Sequence, residues 1–515
     1  MKKNILIIFL AVLFTGCSDY LKDYSQDTAY VRKYEDLDEL LLGDCYLPKV
    51  RLVPLGLDDS SWFFPYIHIM GDETQENITT ITKSSSLWPA TDKFYGYYTW
   101  QQQVGIDQNG TTLRAEDYDW KRIYYRINIA NMVMSSIDDQ TAETDADKLE
   151  KNRIKGEAYF LRGAFYFTLA NLYGKPYNPE TAATDLAVPI KTTEYIEDKV
   201  YSRNTVEEVF QQVISDLKEA ETLLEGTKRK SYYHADQNAV QVLLSRVYLY
   251  MQDYDNCISY AEKVLGKKSD LQDLNSMTEK YFLNTDLNEI IFDMGNGGLR
   301  YSINDQHQGF GISDYLYGLY TDPADLRLTY YIKYNEDSKY PEYVKGGSDV
   351  STDFSRSSLS ANYLFRTSEL YLNAAEAYAL KGDATNAQKY LNTLRKNRIT
   401  ASAYKDITLS GNELIDYIRD ERARELCMEG HRWFDLRRYS VNKVRPFTKT
   451  IRHSYTTWEW SWMISGNAPT RTIWFELEPS DEAYTLPIPR EVINFNIGMK
   501  NNSRPARNVV ETVNY

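Results

Sequence analysis

The chain has 515 residues, 43% of them hydrophobic, and a formal net charge of −14, with a pI near 5.1 and a mean hydropathy of −0.54. This acidity argues against nucleic acid and anionic membrane surfaces as partners, because both call for basic patches. The length allows two or three domains.

At the N-terminus Lys2 and Lys3 precede an apolar stretch from Ile5 to Phe14, and Thr15-Gly16-Cys17 follows. This order of charged, apolar and small-residue regions is that of a secretory signal, and the stretch is too short to span a bilayer, which takes about 20 apolar residues. Leu13-Phe14-Thr15-Gly16-Cys17 resembles a lipoprotein lipobox, whose Cys becomes the acylated first residue; an ordinary secretory signal is the alternative. Residues 1–16 are thus expected to be removed, 17–30 to form a lipidated tether on Cys17, and 31–515 to form one body. With Cys17 on lipid, Cys45, Cys257 and Cys427 are odd in number and lack CxxC spacing, so no disulfide framework or zinc site is expected.

Further along, apolar residues at Ile154, Ala158, Leu161, Phe165, Leu169 and Leu172 alternate steps of three and four, which predicts an amphipathic helix. Thr205 and Glu208 form a capping box ahead of the stripe from Val209 to Ala220. Similar stripes run over 240–251, 370–380, 387–394 and 414–426. Two of them carry a repeat spacing: Cys257 follows Tyr248 by nine residues, and Ala387 follows Tyr378 by nine. A small residue nine after an aromatic lets the second helix of a tetratricopeptide-like pair lie against the first, so a helix-pair scaffold is expected. Lys228-Arg229-Lys230 reads as a solvated turn.

Residues 44–118, 292–360 and 441–482 are rich in Tyr, Trp, Asp, Ser, Thr and Pro without clean periodicity. Loops this long are uncommon in compact proteins unless functional, and their aromatic content is too high for solvated linkers. They are expected to form an irregular layer over the helices, with short strands such as that at Glu289-Ile290-Ile291-Phe292. Trp458, Trp460 and Trp462 alternate as on one strand face.

The motifs of the common enzyme classes are missing: there is no HExxH, GxSxG or GxxxxGK[ST], and the five His residues are scattered. No cofactor is expected. Paired carboxylates, as in a glycosidase or peptidase, stay open because spatial pairs are invisible in sequence. The charged cluster from Arg419 to Arg438 is read as architecture, with Glu421 and Glu425 pairing with Arg422 on one helix and Gly430 ending that helix.

That cluster resembles the C-terminal hallmark of the SusD/RagB family of nutrient-binding outer-membrane lipoproteins. Trp120, Tyr124, Ile127 and Asn131, the run Gly156 to Arg162, Tyr173-Gly174-Lys175-Pro176, the run Leu243 to Leu249, Ala374 to Tyr378 and Leu486 to Glu491 resemble its other segments in order. Asp19 and Asp23 resemble the surface-export signal of such lipoproteins. The resemblance implies a mainly α, tetratricopeptide-like fold with a loop-built ligand face. It also implies a partner, a SusC-like TonB-dependent outer-membrane barrel, to which the protein passes an oligosaccharide or, in some members, a peptide, without acting as an enzyme.

For a sugar ligand, aromatic rings would stack on C–H patches while carboxylate, amide or guanidinium groups take the hydroxyls. The first loop region offers Trp62, Trp88, Tyr97, Tyr98 and Trp100 with Asp72, Glu73 and Asn77; the second offers Arg300, Tyr301, Asn304, Tyr315 and Tyr317. Trp88, Trp100, Tyr301 and Tyr317 are expected to stack, and Asp72 and Arg300 to make polar contacts. Each ring could equally plug the loop layer against the scaffold.

Overall fold

The computed structural model describes residues 31–48, 52–53, 56–57, 63–78, 90–112, 117–195, 197–295, 309–337, 339–346, 359–463 and 466–515; the signal and tether, with Cys17, lie outside them. Helices α1 (Tyr118–Ser136), α2 (Asp145–Tyr173), α3 (Val206–Leu223), α4 (Gln237–Tyr250) and α5 (Tyr254–Leu265) follow one another. Helices α6 (Thr367–Leu380), α7 (Ala384–Lys396), α8 (Gly411–Glu425) and α9 (Arg432–Ser440) come after a strand-bearing insertion. Each of α2 to α5 packs on its predecessor, and α6 packs on α5, so the helical array continues across the insertion. Among the described residues no helix is long and apolar enough to cross a membrane.

Local chemistry sets these boundaries. Asp117, Thr144, Thr205, Asp236 and Asp253 cap α1 to α5, each side chain accepting a first-turn backbone N–H that the helix leaves unpaired. The Thr205 box closes both ways, with the Glu208 amide donating to Thr205 Oγ1 at 3.2 Å and the Thr205 amide to Glu208 Oε2 at 2.8 Å. In α2 all six residues of the predicted stripe are fully buried. Burial goes further than a stripe, since every residue from Phe160 to Tyr173 is buried. This helix is walled on more than one side, by α1, α3 and the strands. Gly156 permits the close approach of α3: a Cβ there would stand 2.7 Å from Leu224 Cγ.

The two repeat pairs have the same build. Asp253 caps α5 by accepting the Asn256 amide, and Asp383 caps α7 by accepting the Asn386 amide, both at φ −88° and ψ 79°. Tyr248 stacks on Tyr260 with centroids 5.8 Å apart, and Tyr378 on Tyr390 at 5.9 Å. Cys257 and Ala387, the small residues, are both fully buried.

The insertion supplies β2 (Ile290–Asp293), β3 (Phe310–Ile312), β4 (Ile332–Asn335), β5 (Tyr340–Tyr343) and β6 (Leu364–Arg366), while β1 (Thr74–Glu76) precedes the helices. They pair as two-stranded antiparallel sheets, β1 with β3, β2 with β6 and β4 with β5.

Region 441–482 departs from the expected irregular layer. It holds a long hairpin, β7 (Ile451–Ser461) and β8 (Gly466–Leu477), extended by β9 (Glu511–Asn514). Hydroxyls meet across it, in the Thr456–Thr472 contact of 2.7 Å and the Thr457–Thr470 contact of 3.0 Å, while Ile451, Tyr455, Ile473, Phe475 and Leu477 turn into the core. Trp458 and Trp460 lie on β7, but the strand ends at Ser461 and Trp462 falls in the turn beyond it.

The hallmark charges are architectural, though not with the expected partners. Arg422 pairs with Asp435 of α9 at 2.8 Å and donates to Asn373 of α6 at 2.7 Å; it is Arg424 that pairs with Glu421, at 2.8 Å. Glu425 faces inward to Arg366 (2.7 Å), Arg398 (2.9 Å) and Arg327 (3.2 Å). The helix ends at Glu425, five residues before Gly430, because Met428 already takes a left-handed φ of 60°; Gly430, at φ 76°, bends the link to α9. The basic run is likewise no free turn: Lys230 pairs with Asp38 (2.8 Å) and Glu150 (2.9 Å), and Arg229 donates to the Ile291 carbonyl at 2.5 Å.

Candidate functional site

Strands β1 and β3 bring the first two loop regions together. They pair as Thr74↔Ile312 and Glu76↔Phe310, and beyond them the Asn77 amide donates to the Gly309 carbonyl at 2.7 Å. The chain leading to Trp88 and the chain returning from Arg300, Tyr301 and Asn304 therefore meet at one end of one small sheet. Trp62, Trp88, Arg300, Tyr301 and Asn304 themselves lie outside the described residues.

At the other end of the same sheet, Ser313 bolts a short helical turn, Asp314–Gly318, onto β1. Its hydroxyl donates to the Asp72 carbonyl at 2.5 Å, its amide to the Glu73 carbonyl at 2.9 Å, and its oxygen caps the Leu316 amide at 3.0 Å. This turn presents Tyr315, which is exposed, and Tyr317, which is half-buried with its ring 5.8 Å from that of Tyr334.

Beneath Tyr315 lies a charge cluster drawn from all three loop regions. Arg432 grips Asp72 with Nε to Oδ1 at 2.7 Å and Nη2 to Oδ2 at 2.8 Å, and Lys449 Nζ reaches Oδ2 at 2.9 Å. Lys449 also sits 3.1 Å from the Tyr315 ring centroid, and Arg432 Nη2 donates to the Tyr315 hydroxyl at 3.1 Å. Burial alone would raise the Asp72 carboxyl, but the two cations hold it far below the usual carboxylate range. Burial pulls the Lys449 ammonium down, with Asp72 opposing.

Two expected contact residues are placed elsewhere. Trp100 is 0% exposed, its indole N–H donates to the Met70 carbonyl at 2.9 Å, and it stacks on His453 at 4.4 Å. His453 in turn stacks on Tyr98 at 4.1 Å, so this column of rings joins β7 to the first loop region as core. Asp72 is 5% exposed with both oxygens engaged, which makes it an internal strut and not an open polar contact. Tyr97 is buried too, stacked on Tyr66 at 4.2 Å. The composition of the loops, too aromatic for solvent, carries this outcome: many of the rings fold the layer onto the scaffold.

Glu73 and Glu76 flank the cluster from inside. Burial pushes the Glu73 carboxyl up to about 8, with the Met428 amide donating to it at 2.8 Å. Burial pushes Glu76 to about 7, against donation by the Thr456 amide at 2.9 Å and its hydroxyl at 2.8 Å. Raised carboxyls often mark catalytic acids. These two, 2% and 5% exposed, point into protein and not into a cleft. Lys449 and Tyr334 were not among the sequence candidates, because no spacing in the chain links them to Tyr315 and Tyr317.

Residues 66–249 match a family model described as starch-binding and associating with the outer membrane, and residues 327–505 match the model of the SusD family. The SusD-like protein P38 of Formosa agariphila is 24% identical over 392 residues, covering 64% of this chain and 74% of the relative. The SusD-like protein P2 of the same organism is 24% identical over 374 residues, covering 62% and 71%. A SusD superfamily protein from Bacteroides thetaiotaomicron shares the fold with a TM-score of 0.66 at 24% identity, over 92% of this chain and 100% of that one. A SusD-like carbohydrate binding protein from Bacteroides vulgatus does so with a TM-score of 0.65 at 22% identity, over 91% and 97%. With family models matched in both halves of the chain and the mainly α, tetratricopeptide-like fold shared over nine-tenths of its length, the chain belongs to the SusD/RagB family.

Proposed function

We propose that this protein is a cell-surface lipoprotein, acylated at Cys17, that captures a nutrient oligosaccharide on its loop face and delivers it to a SusC-like TonB-dependent barrel. The family description over residues 66–249, starch-binding and associating with the outer membrane, supports the glycan and the location. The observation that carries the ligand face is the Asn77–Gly309 hydrogen bond, which puts the stems of the Trp88 loop and of the Arg300-Tyr301 loop side by side. Trp88, Tyr301 and Tyr317 then supply stacking rings and Arg300 a hydroxyl partner; Tyr315 joins them as an exposed ring over two cations. The protein binds and does no chemistry.

Isothermal titration against a panel of plant, fungal and host glycans tests the ligand: at least one should bind, with loss in Trp88→Ala and Tyr301→Ala. Silence across the panel with co-purifying peptides would turn the same lid role to peptides, and release of product from a bound polymer would restore an enzyme. Pull-down from native outer membranes should bring a TonB-dependent barrel, and Cys17→Ser should free the protein from the membrane.

A further inference from the structure

A cavity of about 20 Å³ lies where α2, α4, β6 and the start of α9 meet. Much of its wall is apolar, from Ala164 and Phe167 of α2, Leu243 of α4 and Phe365 of β6. Asn171 of α2, Arg246 of α4 and His431, the residue before α9, line it as well, and all three are buried. Arg246 spends Nε and Nη2 on Glu369 of α6, at 2.6 and 2.7 Å, and its guanidinium lies 4.5 Å over the Phe365 ring. That leaves its Nη1 without an acceptor among the described residues. Asn171 donates its amide N–H to the Phe167 carbonyl at 2.8 Å, which sets the orientation of the amide. Its Oδ1 then has no donor among the described residues.

His431 is the third group. Its Nδ1 takes an N–H from Arg422 Nη2 at 3.3 Å. Burial, with the charges of Arg246, Arg422, Arg366 and Lys345 around it, holds the imidazole well below its ordinary range, so the ring is neutral. A neutral ring whose Nδ1 accepts carries its proton on Nε2. This Nε2–H also lacks an acceptor among the described residues. The three atoms keep surface that a small molecule in the cavity can touch, unlike the neighbouring Tyr250 hydroxyl, which is sealed off.

Two donors and one acceptor therefore share one small space, and buried polar groups left unanswered cost free energy. A cavity holds a single water once it has about 10–15 Å³ of such space and two to four polar partners. An anion would suit Arg246 and His431 but would face the Asn171 oxygen. A cation would face two N–H groups. Only a molecule that both accepts and donates answers all three.

We propose that this cavity is a binding site for one ordered water, which accepts from Arg246 Nη1 and His431 Nε2 and donates to Asn171 Oδ1. The water ties α2 and α4 to the residue that opens α9, at a place also walled by Phe64 and Ile67 of the first loop region. The site stands whatever the loop face binds.

High-resolution crystals of the whole chain test it. One fully occupied peak should lie within hydrogen-bond distance, about 2.7–3.2 Å, of all three atoms. Crystals soaked in bromide should show no anomalous signal there, which separates water from an anion. Asn171→Leu, which puts methyl groups in place of the acceptor, should lose the peak. In solution, oxygen-17 relaxation dispersion of the parent should exceed that of Asn171→Leu by one long-lived water. The parent crystals and the bromide soak decide the question without the variant. No peak, a peak bonded to fewer than all three atoms, bromide in the cavity, or equal dispersion in the two proteins overturns the proposal.

Discussion

Asp72 and Arg432 stand 360 positions apart in the chain and meet in a two-pronged ion pair, Nε to Oδ1 at 2.7 Å and Nη2 to Oδ2 at 2.8 Å. The pair fastens the first loop region to the start of α9, and Tyr315 rests on it. Breaking a buried pair from one side strands a charge, at a cost of about 3–5 kcal/mol. Asp72→Asn should therefore lower unfolding free energy by about that much in urea titrations, with Arg432→Lys only partly tolerated because one ammonium cannot replace a fork. A loss under about 1 kcal/mol would show that the pair is no strut.

Glu425 answers three buried arginines, Arg327, Arg366 and Arg398, each 0% exposed. These come from the insertion, β6 and the turn after α7, so one carboxylate joins three separate parts of the chain. Glu425→Gln should cost about 3–5 kcal/mol or prevent folding outright. Glu413→Gln, on an exposed turn of the same helix, should stay within about 0.5 kcal/mol of the parent. Circular dichroism melts of the two variants would separate the buried network from a general effect of removing charge.

Glu76 predicts an unusual pH dependence. Its folded carboxyl titrates near 7 and that of Glu73 near 8, both above the ordinary 4.5, mainly through burial. Between pH 4.5 and about 8 the folded state then binds more protons than the unfolded one, so these two groups make stability fall as pH rises. Asp72, held well below 3.8, acts in the opposite sense, contributing stability above that pH that is lost on further acidification. The thermal midpoint should accordingly peak at mildly acid pH. Glu76→Gln should flatten the decline between pH 5 and 7, since the Thr456 and Ser454 hydroxyls at 2.8 and 3.2 Å can rotate to accept from an amide. An unchanged slope would mean that Glu76 titrates normally.

The rings divide into two classes with separate readouts. Trp100→Ala removes a fully buried indole stacked on His453 and should cost about 3–5 kcal/mol of stability. Tyr317→Ala, at a half-buried ring, should leave the melt within about 1 kcal/mol and weaken glycan binding by about five-fold or more. Parallel melts and titrations would decide between them, and a Trp100→Ala protein that melts like the parent would return that ring to the ligand face.

Elements with local causes were legible in the sequence. The six-residue stripe of α2, the Thr205–Glu208 box and the small-residue slots at Cys257 and Ala387 all rest on spacings of three to nine residues, and all stand in the structure. The hairpin β7–β8 was legible only at Trp458 and Trp460, because elsewhere its buried side mixes apolar Ile451, Tyr455, Ile473, Phe475 and Leu477 with polar His453, Thr456 and Thr472. The partners of Arg422 were misassigned for a related reason: helical spacing names neighbours on one helix, whereas Asp435 and Asn373 come from two others. Loop candidates fared by depth. Nothing in the residue types of Trp100 and Tyr317 distinguishes a ring that plugs the layer from one that faces out, since that depends on contacts such as Met70 to Trp100 that only the folded chain makes.

The small β1–β3 clamp bears on how far the two loop regions can diverge in sequence. Its register is written in main-chain hydrogen bonds, including that from Asn77 to Gly309, and main-chain bonds are blind to side-chain identity. Exchange of the paired residues for other strand formers therefore leaves the bonds that join the two loop stems in place. The two loop regions could thus drift in sequence while staying joined at the same point on the scaffold.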